Sequence, residues 1–334
     1  MDDIQIANIL LTRRCNLRCS YCRLVRDLPE VPEYPLMDHY KENELDADGW
    51  IDIIARLKNN NPDVFLVIYG GEPFLYNDLP KVLNYCHEAN VHYTVISNNT
   101  DGIQKRIESV CEEIGGFYGF TSSVDPLMLK DGDDWDDVRE KSRKGFERLK
   151  EMKESGKAKD VVAEITAFKS TLPYLYDTVK LLSDNGIYSS ITTLDQQKNK
   201  YYDFSTISDT DELVPKDDYT KEVFKKIQDD ESLLIHIPEL LDKVYDDLPC
   251  NMRCNIFKDI HNVTIDADGS LRLCLRIRGI ETPKYSFKDL IDEDGVVSKK
   301  FNDALEKDYE ETCDGCIWTC MYMSGYYNNS IIDH

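Results

Sequence analysis

The stretch Gln5-Ile-Ala-Asn-Ile-Leu-Leu-Thr12, running into Arg13-Arg-Cys15-Asn-Leu-Arg-Cys19-Ser-Tyr-Cys22, joins a strand-like apolar run to three cysteines in a polar segment. Outward from it, strand-like runs recur at 64–70, 92–97, 117–124, 161–168 and 188–194. Segments of helical period lie between them at 47–58, 79–90, 101–114, 135–154 and 174–185. Asn185-Gly186 gives the last of these a fitting stop. Six β/α units with short connections predict an α/β fold of parallel strands with helices outside, a partial (β/α)6 TIM-like barrel. An open doubly wound sheet has the same strand count and stands as the rival. The predicted organisation is a barrel over 1–195, a polar, tyrosine-rich bridge or insert over 196–249 and a small cysteine-rich subdomain over 250–334. The bridge carries helical stretches near 216–228 and 236–247. In the last segment, Val263-Thr-Ile-Asp-Ala-Asp-Gly-Ser-Leu-Arg-Leu273 reads as a hairpin turning at Asp268-Gly269.

A chain of 334 residues with 41% hydrophobic content can bury one large domain and an appendage. No apolar run approaches the ~20 residues that a membrane span needs. The N-terminus carries acid ahead of its apolar stretch and lacks a small-residue cleavage site, so no signal peptide and a cytoplasmic location are expected. The net charge of −23 repels phosphate backbones, which disfavours direct binding of bulk nucleic acid. It draws a cationic substrate or a basic peptide; the plainer reading is solubility.

Eleven cysteines in a chain of this kind point to metal or redox chemistry rather than a disulfide framework. Three fall within 15–22, Cys86 and Cys111 stand alone in helical segments and read as buried, and six lie between 250 and 320. The six histidines form no ligand motif, and the acidic tract Asp131–Asp137 reads as a solvated loop or helix start. Cys15, Cys19 and Cys22, at spacings of four and three, can converge on one cluster from a loop. Iron–sulfur clusters usually take four cysteines, so three leave one iron open to a small molecule, whereas structural zinc wants four closed ligands.

This C-x3-C-x2-C element, with Tyr21 before its last cysteine, resembles the signature of the radical S-adenosylmethionine (SAM) superfamily. The resemblance implies that Cys15, Cys19 and Cys22 hold a 4Fe–4S cluster whose fourth iron is chelated by SAM. Tyr69-Gly70-Gly71-Glu72-Pro73, at the end of the second strand, is similar to the family's GGEP motif. Paired glycines admit backbone to the methionine ammonium, and the carboxylate offsets its charge. Ser97-Asn98-Asn99 closes the third strand, where relatives carry small polar residues against SAM's ribose. Ser123-Val-Asp125 closes the fourth and resembles an S-L-D element whose serine approaches SAM's carboxylate. Successive carboxyl ends of strands are where barrels place their sites.

The late cysteines are similar to the SPASM and twitch extensions of this superfamily, which bind auxiliary 4Fe–4S clusters. Cys254 and Cys274 frame a C-x14-G-x4-C hairpin, and Cys313 and Cys316 complete a twitch-like set. Cys250 adds a SPASM-like first pair, while the later run is shortened to C-x2-C-x3-C ending at Cys320. Six cysteines cannot supply eight thiolates, so two all-cysteine auxiliary clusters are ruled out. The set Cys250, Cys254, Cys274 and Cys320, a second incompletely ligated cluster, and zinc all remain open.

The resemblance implies that an external one-electron reductant of flavodoxin or ferredoxin type feeds the first cluster. SAM is then cleaved to methionine and a 5′-deoxyadenosyl radical, which abstracts hydrogen from a substrate carbon. Maturation of a ribosomal peptide or another oxidative modification is the expected outcome. Fourteen residues precede Cys15, so no fused N-terminal peptide-recognition domain is expected. Small-molecule dehydrogenation or epimerisation, in natural-product or sugar metabolism, is the competing reading, with Cys86 or Cys111 as a hydrogen donor for an epimerase. A non-catalytic iron–sulfur or zinc protein would explain the cysteines but not the three-ligand site beside GGEP.

Overall fold

The computed structural model describes residues 4–19, 22, 37–125, 136–193, 214–215, 217–236, 262–272, 285–300, 303–304 and 307. The strands are β1 (Ile6–Thr12), β2 (Phe65–Gly70), β3 (His92–Ser97), β4 (Phe117–Ser123), β5 (Ala158–Ala167), β6 (Tyr188–Thr193), β7 (Asn262–Ile265) and β8 (Leu271–Arg272). They form one sheet in the order β6-β5-β4-β3-β2-β1-β7-β8, in which all neighbours are parallel except β7 and β8. The first six strands lie side by side in chain order. A doubly wound sheet reverses its order at a switch point, so this is the barrel arrangement, left open between β6 and β8.

The helices are α1 (Met37–Asn43), α2 (Ala47–Asn60), α3 (Leu79–Glu88), α4 (Gln104–Ile114), α5 (Asp136–Glu154), α6 (Leu172–Asp184), α7 (Asp218–Asp229) and α8 (Phe287–Leu290). Local chemistry sets their ends. The Asp46 side chain caps α2 by accepting from Gly49 N–H, and Asp217 caps α7 by accepting from Thr220 N–H. Gly115, at φ +76°, stops α4 in the left-handed region that glycine enters without strain.

Strand side chains alternate between two faces. On one face Ile9, Leu11, Ile68, Val95, Phe120, Ala163 and Ile165 are buried in a single core with Trp50, Leu83, Leu149 and Leu182 of the helices. The intervening residues face away from the helices and are more polar, among them Thr94, Thr121, Ser123 and Glu164.

The 263–273 hairpin forms as expected about Gly269, at φ +78°, but its first strand also pairs with β1. It therefore extends the barrel sheet. Arg13 reinforces this join: its Nε and Nη2 donate to Asp266 Oδ1 and Oδ2 at 2.9 and 2.7 Å, with both side chains buried. Tyr40 of α1 lies against the same guanidinium, 4.2 Å from its ring centre. The helical stretch near 236–247 and most of the acidic tract lie outside the described residues.

Candidate radical-SAM site

The site is built where β1, β2 and β3 end. Gly71 N–H donates to Thr12 O at 2.7 Å and Glu72 N–H to Arg14 O at 2.7 Å, so the GGEP backbone runs against the base of the cysteine loop. A Cβ on Gly70 would collide with the Thr12 carbonyl oxygen, and one on Gly71 with that of Arg14. Gly70 also sits at φ +140°. In this structure the paired glycines accommodate the cysteine loop itself.

Glu72 is fully buried, and its partners come from the protein. Oε1 accepts from Ser97 Oγ at 3.1 Å and Phe74 N–H at 3.3 Å; Oε2 accepts from Asn98 N–H at 2.9 Å. Burial pushes its pKa up to about 7, against the lowering effect of those donors. Pro73 opens a 3-10 turn (Pro73–Leu75), at a position where its missing N–H costs nothing.

Asn98 carries the connection to the loop. Its Nδ2 donates to Asn16 Oδ1 at 2.8 Å and makes a long contact of 3.8 Å to Cys15 Sγ. Thr100 closes the network: its Oγ1 accepts from Asn16 Nδ2 at 2.9 Å and donates to Asn98 Oδ1 at 2.8 Å. Behind the loop, Arg14 donates to Glu44 Oε2 at 2.7 Å, and Thr12 Oγ1 donates to Glu44 Oε1. Asn16, Thr100, Glu44, Arg13 and Asp266 were not legible as site residues. Asn16 alone had a signal, its place inside the cysteine element.

Cys15, Cys19 and Cys22 are each partly exposed on one loop, and Cys22 N–H donates to Cys19 O at 3.1 Å. Burial chiefly raises the Cys15 pKa, and the nearby Glu72 charge adds to it, while Leu17 N–H acts the other way. Among the described residues no three His, Cys, Asp or Glu side chains close on a single metal ion. Three cysteines on one loop suit a cluster with one open iron better than structural zinc, which takes four closed ligands. The residues fit a three-cysteine iron–sulfur site.

Ser97 and Asn98 stand beside Glu72, while Ser123 is exposed two strands away from β2, at the end of β4. Tyr21, Cys250, Cys254, Cys274, Cys313, Cys316 and Cys320 lie outside the described residues. Cys86 on α3 and Cys111 on α4 are buried in the core beneath the helices, and burial pushes the Cys86 thiol up to about 12.

Residues 9–195 match the radical SAM superfamily, and the chain belongs to that family. It is 28% identical, over 28% of its length, to the S-adenosylmethionine-dependent nucleotide dehydratase of Selenomonas ruminantium, covering 29% of that protein. The chain thus spans less than a third of this curated relative. Among solved structures it resembles Streptococcus suis SuiB bound to the precursor peptide SuiA, with a TM-score of 0.60 and 17% identity over 91% of this chain and 67% of that one. It also resembles anSMEcpe with bound AdoMet and Cp18Cys peptide, with a TM-score of 0.53 and 15% identity over 99% and 98% of the two chains. At these identities the likeness is one of fold: a parallel sheet of seven strands, not closed, as in the partial barrel of radical SAM enzymes.

Proposed function

We propose that the chain cleaves SAM reductively at the Cys15/Cys19/Cys22 site and uses the resulting radical to modify a peptide or another substrate oxidatively. The observation that carries this is the hydrogen-bonded line from Glu72 through Asn98 to Cys15, which ties GGEP to a three-cysteine loop. A reduced cluster and SAM together supply a 5′-deoxyadenosyl radical, able to take hydrogen from an unactivated carbon.

The chain's own residues do the positioning. Gly70 and Gly71 let the loop pack against β2, and Glu72 fixes the ends of β2 and β3. Asn98 and Ser123 present polar groups at the ends of β3 and β4 for SAM's methionine and ribose, and Ser97 supports that site from beneath through its hydrogen bond to Glu72. The concave face beyond them holds the substrate away from water and stray hydrogen donors. A peptide substrate is supported by the likeness to two folds solved with peptides bound. The net charge of −23 suits a basic peptide and not a phosphorylated ligand.

The same proposal includes an auxiliary 4Fe–4S cluster on four of Cys250, Cys254, Cys274, Cys313, Cys316 and Cys320. It includes a cytoplasmic setting with a flavodoxin- or ferredoxin-type reductant, supported by the wealth of thiols. Among the described residues no helix is long and apolar enough to cross a membrane. Anaerobic calorimetry tests the site: SAM binding to iron-loaded protein should be at least tenfold tighter than to iron-free protein. Equal affinity would overturn the assignment.

A further inference from the structure

Glu164 is a partly exposed carboxylate in the middle of the sheet, and nothing in the chemistry above uses it. It lies on β5, on the face turned away from the helices, in register with Ser123 of β4 on one side and Ser190 of β6 on the other. The row Ser123–Glu164–Ser190 therefore crosses three adjacent strands on the concave side, and begins at the exposed serine assigned to SAM. Its neighbours on β6 are two hydroxyl residues, Ser190 and Thr192, which favour its charged form, and no cation stands beside it among the described residues. It is partly open to solvent on that side.

A carboxylate drawn partly out of water is costly unless something compensates it, and two neutral hydroxyls compensate weakly. The strand positions of β3 to β6 that share its face include no Lys or Arg. A phosphate or carboxylate on a substrate would find no counter-charge there. A cation would find one carboxylate, hydroxyl acceptors around it, and a strongly negative chain to draw it in.

We propose that Glu164 and Ser190, next to Ser123 in the row, form the substrate-recognition subsite of the barrel, and that it binds an alkylammonium group: a lysine side chain of a peptide or a free amine. This rests on the proposed function only in placing substrate on the concave face. Glu164 is then a specificity residue that anchors the substrate while chemistry takes place nearer Cys15.

Equilibrium dialysis of the anaerobically reconstituted protein, without reductant, tests it with three probes. These are the capped tripeptide Ac-Gly-Lys-Gly-NH2, its norleucine counterpart and n-butylammonium. The lysine peptide should bind at least tenfold more tightly than the uncharged norleucine peptide, and Glu164→Gln should erase the difference. Binding of the lysine peptide above butylammonium assigns the ammonium to a peptide; equal binding assigns it to a small amine. Equal retention of the lysine and norleucine peptides by the wild type overturns the proposal, as does unchanged discrimination in Glu164→Gln. Wild-type protein that discriminates yet forms no 5′-deoxyadenosine with SAM and reductant refutes the proposed function and leaves this subsite standing. Protein that cleaves SAM but does not discriminate does the reverse.

Discussion

Arg13 and Asp266, 253 residues apart, meet in a buried two-pronged ion pair two residues before the first cysteine of the site. The pair locks the cysteine loop to the hairpin that carries β7 and β8. Asp266→Ala strips the guanidinium of its counter-charge while leaving it buried, and breaking a buried pair in this way costs about 3–5 kcal/mol. Urea unfolding should show a loss of that order. The Arg13→Met/Asp266→Leu double variant should recover much of it, because neither buried charge is then left alone. A double variant as unstable as Asp266→Ala would mean that packing, not charge, holds the hairpin.

Gly71→Ala should leave the barrel folded and displace the cysteine loop, because the new Cβ meets the Arg14 backbone and not a flexible side chain. Circular dichroism near wild type, with iron content at the first site reduced by half or more, is the expected pair of readings. Gly115→Ala is the contrast: nothing lies within 4 Å of its Cβ, so only the left-handed backbone, φ +76°, resists it. It should cost about 1 kcal/mol and leave iron unchanged.

Glu72 and Glu164 both have pKa values raised from 4.5 to about 7 by burial. Below about pH 4.5 each is protonated whether the chain is folded or not, and neither opposes folding. Between 4.5 and 7 the folded state holds protons that the unfolded state has released, so stability falls as pH rises through that window. Above it the penalty is constant. Glu164→Gln should therefore unfold later than wild type at pH 8 and no later at pH 4.5, and the difference between the two proteins isolates this group. A difference independent of pH would place Glu164 in an environment like water.

Much of this was legible in the sequence. The six barrel strands follow from short apolar runs punctuated by helical periods, and each observed strand begins within three residues of its expected start. Helix α1 was not, because seven residues of Met-Asp-His-Tyr-Lys-Glu-Asn show no clear amphipathic period and are held by Tyr40 packing on Arg13. The turn at Gly269 was readable, whereas the pairing of β7 with β1 was not. Register between segments some 255 residues apart leaves no local pattern. GGEP was found by its likeness, but the roles of its parts needed coordinates. The glycines face backbone of the cysteine loop, and the Glu72 oxygens are taken by Ser97, Phe74 and Asn98. Glu164 was hidden inside Val161-Val-Ala-Glu-Ile-Thr-Ala167, which reads as one more apolar strand until its neighbours in the sheet are known.

The auxiliary cluster has its own count. Anaerobically reconstituted protein should hold about eight irons, four per cluster, and Cys274→Ala should lose about half of them while keeping the first site. Limited proteolysis of that variant should cut beyond residue 250 first. Full iron retention in Cys274→Ala would remove it from the ligand set.

The central claim is that the loop carrying Cys15, Cys19 and Cys22 is where SAM is cleaved. Its most direct test is chromatographic detection of 5′-deoxyadenosine after reconstituted protein is incubated anaerobically with SAM and dithionite. Wild type should release it together with methionine, and the Cys15→Ala/Cys19→Ala/Cys22→Ala variant should release none while retaining about half the iron. Formation of 5′-deoxyadenosine by the triple variant would contradict the account.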